Sequence, residues 1–294
     1  VIDLHLHSTC SDGSERPEHV VELAARAGCR AIALTDHDGL AGCAAARRRA
    51  GELGIVFVDG CEVSCTDAVG TIHLLVYFVD ERSGFDAFLS RLREDRARRN
   101  GDLLERLGAI GMPIEEAELT AAASGGLVGR PHFAAVLVAR GWASSVTDAF
   151  DRFLGDGGPA FVPRDPVLPA SVIAAATASG GVVAFAHPKS TGLDHRELER
   201  YVGTLSDLGL VGLEATYGRY DAATRGSLHR LARQFGLVPT GGSDFHGSSK
   251  PDLRVGVGRG DLRVPDDVLD ELVARRAALG PTPPDGEGAL RAGD

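Results

Sequence analysis

His5 and His7 stand one residue apart in Asp3-Leu4-His5-Leu6-His7. In an extended segment alternate side chains share a face, so the two imidazoles point the same way and can hold one ion, with Leu4 and Leu6 turned into the packing. The pair is a weak signal alone, because packed, hydrogen-bonded histidines produce it as well. It gains force from the metal-competent side chains that recur along the chain: Asp12, Asp36-His37-Asp38, Glu62, His73, His187, Glu214 and Asp244-Phe245-His246. Each lies in or just after a short β-like run, and six of the ten histidines fall at such places.

The elements that must position these groups follow from hydrophobic patterning. Strand-like runs at about 1–5, 31–35, 55–61, 71–79, 181–186, 211–215 and 237–241 alternate with helical patterns at 17–28, 40–53, 169–179, 196–208 and 221–235. Alternation of this kind is the mark of βα units and a parallel sheet. Seven strands predict a barrel, with 256–264 as a short eighth candidate. In an α/β barrel the strand C-termini converge on one mouth, which makes neighbours of residues some 240 positions apart. Between about 84 and 165 the alternation stops and helical stretches follow one another, near 85–109, 115–122, 131–140 and 146–154. The expectation is a seven-stranded (β/α) barrel formed by 1–83 and 166–279. A helical subdomain, 84–165, is inserted at a strand's C-terminal end and caps the active face. Residues 280–294 have too little apolar content to fold and read as a disordered tail.

Composition bounds the function. At 294 residues with a formal charge of −10, the chain is large enough for a barrel and too acidic for an extended duplex-binding surface. The five cysteines, Cys10, Cys29, Cys43, Cys61 and Cys65, are odd in number and form no C-x-x-C pair. That suits reduced thiols and a cytoplasmic protein. No apolar run approaches the roughly 20 residues that cross a bilayer, and the first residues are no signal peptide. Of the 31 basic residues only Lys189 and Lys250 are lysine, and both follow candidate ligands by a few residues. The arginines Arg91, Arg93, Arg96, Arg98 and Arg99 read as a solvated helix face.

Taken in order, D-L-H-L-H-S-x-x-S-D-G, T-D-H-D, G-x-E, the strand-four His73, A-H-P and G-S-D-F-H-G resemble the PHP (polymerase and histidinol phosphatase) family, over residues 1 to about 260. Within it the chain looks most like the branch of nucleoside 3′,5′-bisphosphate phosphatases and a related 5′-to-3′ exoribonuclease, which carry a helical insertion with a G-R-P-H motif, here Gly129-Arg130-Pro131-His132. The resemblance implies a distorted seven-stranded, TIM-like (β/α) barrel and a phosphoesterase centre of two or three divalent ions. His5, His7, Glu62 and Asp244 would hold one, Glu62 would bridge to a second held by His73 and His187, and Asp12, His37 and His246 would hold a third. Many family members have histidine where Asp12 stands, so a harder ligand is expected there. Imidazole and carboxylate ligands without thiolate suit Mn, Zn or Fe.

Paired cations lower the pKa of a bridging water and neutralise phosphoryl oxygens, so no side-chain nucleophile is required. His187 and Asp244 are the expected catalytic residues, with Asp36 either orienting a histidine ligand or serving as a turn residue. Arg130 and His132 are candidates to grip a phosphate not under attack, and Lys189 is a point charge at the same mouth. The substrate expected is a small phosphorylated nucleotide, a nucleoside 3′,5′-bisphosphate or an AMP-like molecule. Trimming of short single-stranded RNA and hydrolysis of histidinol phosphate are the enzymatic alternatives, and a catalytically inactive binding module is the alternative from another class.

Overall fold

The computed structural model describes residues 1–123, 128–163 and 166–280. The tail expected at 280–294 falls outside them, apart from its first residue. Seven strands form one sheet in chain order: β1 (Ile2–Asp3), β2 (Ala31–Leu34), β3 (Val56–Asp67), β4 (Gly70–Tyr77), β5 (Val182–Phe185), β6 (Gly212–Tyr217) and β7 (Val238–Gly242). The extended chain after β1 closes the sheet against β7 and its loop. Leu4 N–H donates to Gly241 O at 3.1 Å, Asp244 N–H to His5 O at 2.9 Å and His7 N–H to Phe245 O at 3.0 Å. The result is the seven-stranded barrel expected, with His5 and His7 at its seam.

The sheet is mixed where an all-parallel one was expected. β3 pairs antiparallel with β4 and β4 antiparallel with β5, while the other neighbours are parallel. The cause is a tight hairpin in which Asp67 pairs with Gly70. Ser64, Thr66 and Asp67 break the apolar run, so the pattern alone ends strand three six residues early. Because β4 runs backwards, its N-terminal half lies at the mouth where the candidate ligands gather, and His73 arrives there from a strand start. Alternation does the rest. Ile72, Leu74 and Val76 face out into the cluster under the helices, while Leu75 and Tyr77 face into the barrel core on the same side as His73.

This reversal also corrects where the insertion leaves the barrel. Tyr77, the last residue of β4, pairs with Val182, the first of β5, so the chain departs from the face opposite the mouth. α1 (Pro17–Arg26) and α2 (Cys43–Leu53) precede this point, and α3 (Gly84–Ala109) begins just after it. At 26 residues α3 is about 39 Å long and runs back up the barrel wall. Phe85 and Leu89 near its start belong to the main core. Leu103 and Leu107 near its end belong to a separate apolar cluster with Phe133, Leu137 and Leu154. That cluster is built by α4 (Glu116–Ala122), α5 (Arg130–Ala139) and α6 (Val146–Ala149), which continues as a π-helical turn over Phe150–Leu154.

α7 (Pro169–Ala178), α8 (His195–Asp207) and α9 (Ala222–Gln234) cover the barrel wall. α10 (Asp267–Ala278), which the patterning did not anticipate, lays Val268, Leu269 and Leu272 against the inward-facing strand residues. The candidate eighth strand is only two isolated bridges, Gly258 to Arg254 and Val264 to Ile2.

Closure at the seam depends on the smallest side chain. A Cβ on Gly242 would overlap the Cβ and backbone nitrogen of His5 and lie 2.9 Å from Asp3 Oδ1. Overpacking of this kind costs about 1–3 kcal/mol or more. Gly242→Ala is therefore expected to lower the thermal midpoint and loosen His5, and an unchanged melting curve would contradict the seam as drawn.

Candidate metal centre

His5 is placed by Glu214, whose Oε1 accepts from its Nδ1 at 2.8 Å, leaving His5 Nε2 to face the cluster. Both side chains are fully buried. His5 Nε2, His7 Nε2 and Glu62 Oε2 lie 3.1 Å from one another, and Asp244 Oδ1 is 3.4 Å from His5 Nε2 and 3.5 Å from His7 Nε2. Ligand atoms about 2.1 Å from a shared ion stand about 3.0 to 3.4 Å apart in octahedral or tetrahedral arrangements. The four atoms are spaced as ligands of one ion would be.

Glu62 divides its carboxylate between two sets. Oε2 belongs to the set just described, while Oε1 lies 2.8 Å from His73 Nδ1 and 2.8 Å from His187 Nε2. A third set gathers around Asp12, with His246 Nε2 at 3.2 Å, His7 Nδ1 at 3.5 Å and His37 Nε2 at 3.6 Å. His37 Nδ1 and His246 Nε2 are buried and make no well-aligned hydrogen bond, although carboxylate oxygens of Glu62 and Asp12 lie 3.5 and 3.2 Å away. A cation is the partner that would satisfy such ring nitrogens and the carboxylates beside them, so the donor set fits a metal. Asp12 is also 45 % exposed, which leaves an open approach on that side.

The protonation states of His7 and Glu62 suit ligation, and that of His5 opposes it. For His7, burial and the neighbouring His246 push the pKa down to about 3, so the ring is neutral. Burial opposes the charge on Glu62, yet the imidazoles of His5, His37 and His73 outweigh it and hold the carboxyl well below the usual range. Burial likewise opposes protonation of His5, but Glu214, Glu62 and Asp244 hold its pKa well above 6.5. A metal entering beside His5 must therefore displace a proton.

The loops are held by groups that touch no candidate ion. Asp36 accepts from Ser8 N–H (2.7 Å), Ser8 Oγ–H (2.6 Å) and Ser11 Oγ–H (2.5 Å), and Ser11 Oγ lies 3.5 Å from His7 Nδ1. It reaches a histidine ligand through Ser11. Glu214 serves two ligands at once, since its Oε2 also accepts His187 N–H at 2.6 Å. Three of the four non-glycine residues with positive φ among the described residues, Asp38 (50°), His187 (26°) and Asp244 (56°), stand at this mouth. Strained backbone of this kind persists where surrounding contacts over-determine it.

Asp38 has such contacts. Arg93 donates to its carbonyl at 3.1 Å and Arg96 pairs with its carboxylate. The reading of the α3 arginines as a solvated face is corrected for these two and stands for the exposed Arg91 and Arg98. The hydroxyl of Tyr217 donates to Asp244 Oδ2 at 2.7 Å, a contact the sequence did not suggest. A bulge between Glu214 and Thr216 resets the register, so Glu214 and Tyr217 both reach the site although they stand three positions apart, which strict alternation would put on opposite faces.

Two cavities open on the cluster. One, of about 220 Å³, is lined by Asp12, His37, His73, Arg96 and His132. The other, of about 420 Å³, is lined by His37, Glu62, His73, His187, Lys189, Tyr217, Tyr220 and Lys250. His132 Nδ1 accepts Gly129 N–H at 3.0 Å, so its neutral ring carries the proton on Nε2, and burial lowers its pKa. Arg130 lines neither cavity; its guanidinium lies over the Phe150 ring at 6.0 Å.

The chain's likenesses agree with this centre. Residues 3–128 match the PHP domain model. A 3′,5′-nucleoside bisphosphate phosphatase of Chromobacterium violaceum is 31% identical over 266 residues, covering 87% of this chain and 90% of that protein. A 5′-3′ exoribonuclease of Haemophilus influenzae is 34% identical over 248 residues, covering 83% and 89%. Among solved structures, a candidate metal-dependent phosphoesterase of Bifidobacterium adolescentis superposes with a TM-score of 0.72 at 30% identity, covering 93% of this chain and 96% of that one. Barrel, ligand cluster and relatives define a metal-dependent phosphoesterase. The chain belongs to the PHP family.

Proposed function

We propose that this phosphoesterase removes phosphate from small phosphorylated nucleotides, nucleoside 3′,5′-bisphosphates or AMP-like monoesters, with two or three divalent ions, Mn, Zn or Fe, at the barrel mouth. The observation that carries the reading is the division of Glu62 between two ligand sets, the arrangement that suits a paired-ion centre. Bound there, such ions would polarise the phosphoryl group and make water nucleophilic at neutral pH. The protein's own part is to fix the ligands, through Glu214 on His5 and His187 and through Tyr217 on Asp244, and to bind the substrate.

His132 lines the smaller cavity with its ring proton on Nε2, a donor that a phosphate oxygen bound there would accept from in this reading. The role proposed for Arg130 rests on its place in the G-R-P-H motif, since its side chain packs on Phe150. Residues 84–165 act in this reading as a cap subdomain on a barrel of 1–83 and 166–279, supported by the separate apolar cluster that α3 enters. Cys29, Cys43 and Cys61 are buried free thiols, in keeping with the reducing compartment proposed, and burial pushes Cys29 up to about 12, which makes it unreactive. Among the described residues no helix is long and apolar enough to cross a membrane.

Exoribonuclease action on short RNA is the second reading, favoured by the Haemophilus relative. Phosphate release by Mn-reconstituted protein from adenosine 3′,5′-bisphosphate, AMP, histidinol phosphate and a short 5′-phosphorylated RNA separates the readings by kcat/KM. Preference for the first two substrates supports the proposal. Preference for RNA replaces it with the second reading, and inactivity on all four in metal-loaded protein would sink both.

A further inference from the structure

Lys189 and Lys250 are the only lysines of the chain, and although 60 residues of sequence lie between their neighbourhoods, roughly two βα units, the fold brings both to the wall of one cavity beside the metal cluster. Arg219 also lines that cavity, but its guanidinium is held by Asp252 through two hydrogen bonds of 3.1 and 2.8 Å.

Each ammonium is placed by contacts that leave donors for a ligand. Lys250 Nζ donates to Asp244 Oδ2 at 2.6 Å, the same oxygen that accepts Tyr217 O–H, so Asp244 Oδ1 is the oxygen turned to His5 and His7. Lys189 follows the His187 turn. Its backbone N–H donates to Tyr220 Oη at 2.9 Å, and its Nζ makes one long bond, 3.4 Å, to Leu193 O. An ammonium has three donors, so two on each lysine remain for the cavity. The Tyr217 and Tyr220 rings, 4.8 Å apart, supply an aromatic wall on the same side.

We propose that Lys189 and Lys250 form a two-ammonium phosphate subsite on the His187 side of the cluster, which takes the phosphate of a doubly phosphorylated nucleotide that is not hydrolysed, in place of the grip that the G-R-P-H motif suggests for Arg130 and His132 on the other side. The inference rests on the nucleotide reading above and deepens it. Lysine suits the task because a compact charge on a flexible stem can follow a phosphate, whereas a guanidinium fork demands one plane.

The test compares Lys189→Met and Lys250→Met with the Mn-loaded parent on adenosine 3′,5′-bisphosphate and on AMP. Loss of a charge-assisted phosphate contact is expected to lower the ratio of the two kcat/KM values about tenfold or more, chiefly through KM for the bisphosphate. Equal loss on both substrates, with metal content retained, overturns the subsite while leaving the phosphatase reading intact. Amine labelling of the unmutated holoenzyme decides the matter without turnover, read by peptide mass spectrometry at the two lysines. A non-hydrolysable bisphosphonate analogue of the bisphosphate should slow labelling of both lysines about fivefold more than the monophosphonate analogue of AMP. Equal protection by the two analogues, or none, contradicts the proposal.

Discussion

Glu62→Gln is expected to strip metal from the protein and to lower kcat/KM for phosphate release by about three orders of magnitude or more, the scale of losing several kcal/mol of charge stabilisation. The substitution keeps the side chain's volume and removes its charge. Glu62 is the one residue whose two oxygens meet both His5 and His7 on one side and His73 and His187 on the other, so its loss disturbs two ligand sets together. Asp12→Asn should do less, because Asp12 belongs to one set and is partly exposed. Metal analysis of dialysed protein beside a phosphate-release assay checks both. If Glu62→Gln kept its metal and its rate, the shared-carboxylate geometry would be wrong.

The second large effect is expected at Glu214, a residue that need not touch an ion. Glu214→Leu removes the acceptor of His5 Nδ1–H and of His187 N–H at a fully buried position. Breaking a buried pair by deleting one partner costs about 3–5 kcal/mol, and loss of a group that orients a metal-bound histidine weakens metal binding about 10–100-fold. Glu214→Gln keeps an acceptor and should fall between the parent and the leucine variant. Urea unfolding of the chelated proteins reads the first effect and metal titration reads the second. Parent-like values for Glu214→Leu in both would remove Glu214 from the account.

Much of this centre was legible because strand ends announce themselves. His5, His7, His37, Glu62, His187, Asp244 and His246 each follow or end an apolar run, and closure of the barrel turns that pattern into proximity. The reversal of β4 was not legible, since an apolar run has no direction, and the hairpin that sets it joins Asp67 to Gly70 through residues of mixed character. The hydrogen bond of Tyr217 to Asp244 was hidden by a bulge, and the clamp of Arg93 and Arg96 on Asp38 by the length of α3, which brings a helix begun at the far face back to the mouth. The two lysines were visible as an oddity of composition, and only the fold puts them in one cavity.

The most direct measurement is phosphate release from adenosine 3′,5′-bisphosphate as Mn is titrated into chelated protein. The account predicts no release at the start and activity that rises to a plateau at two or three equivalents of metal per chain. Full activity in the chelated protein, or metal binding that never brings activity, would contradict it.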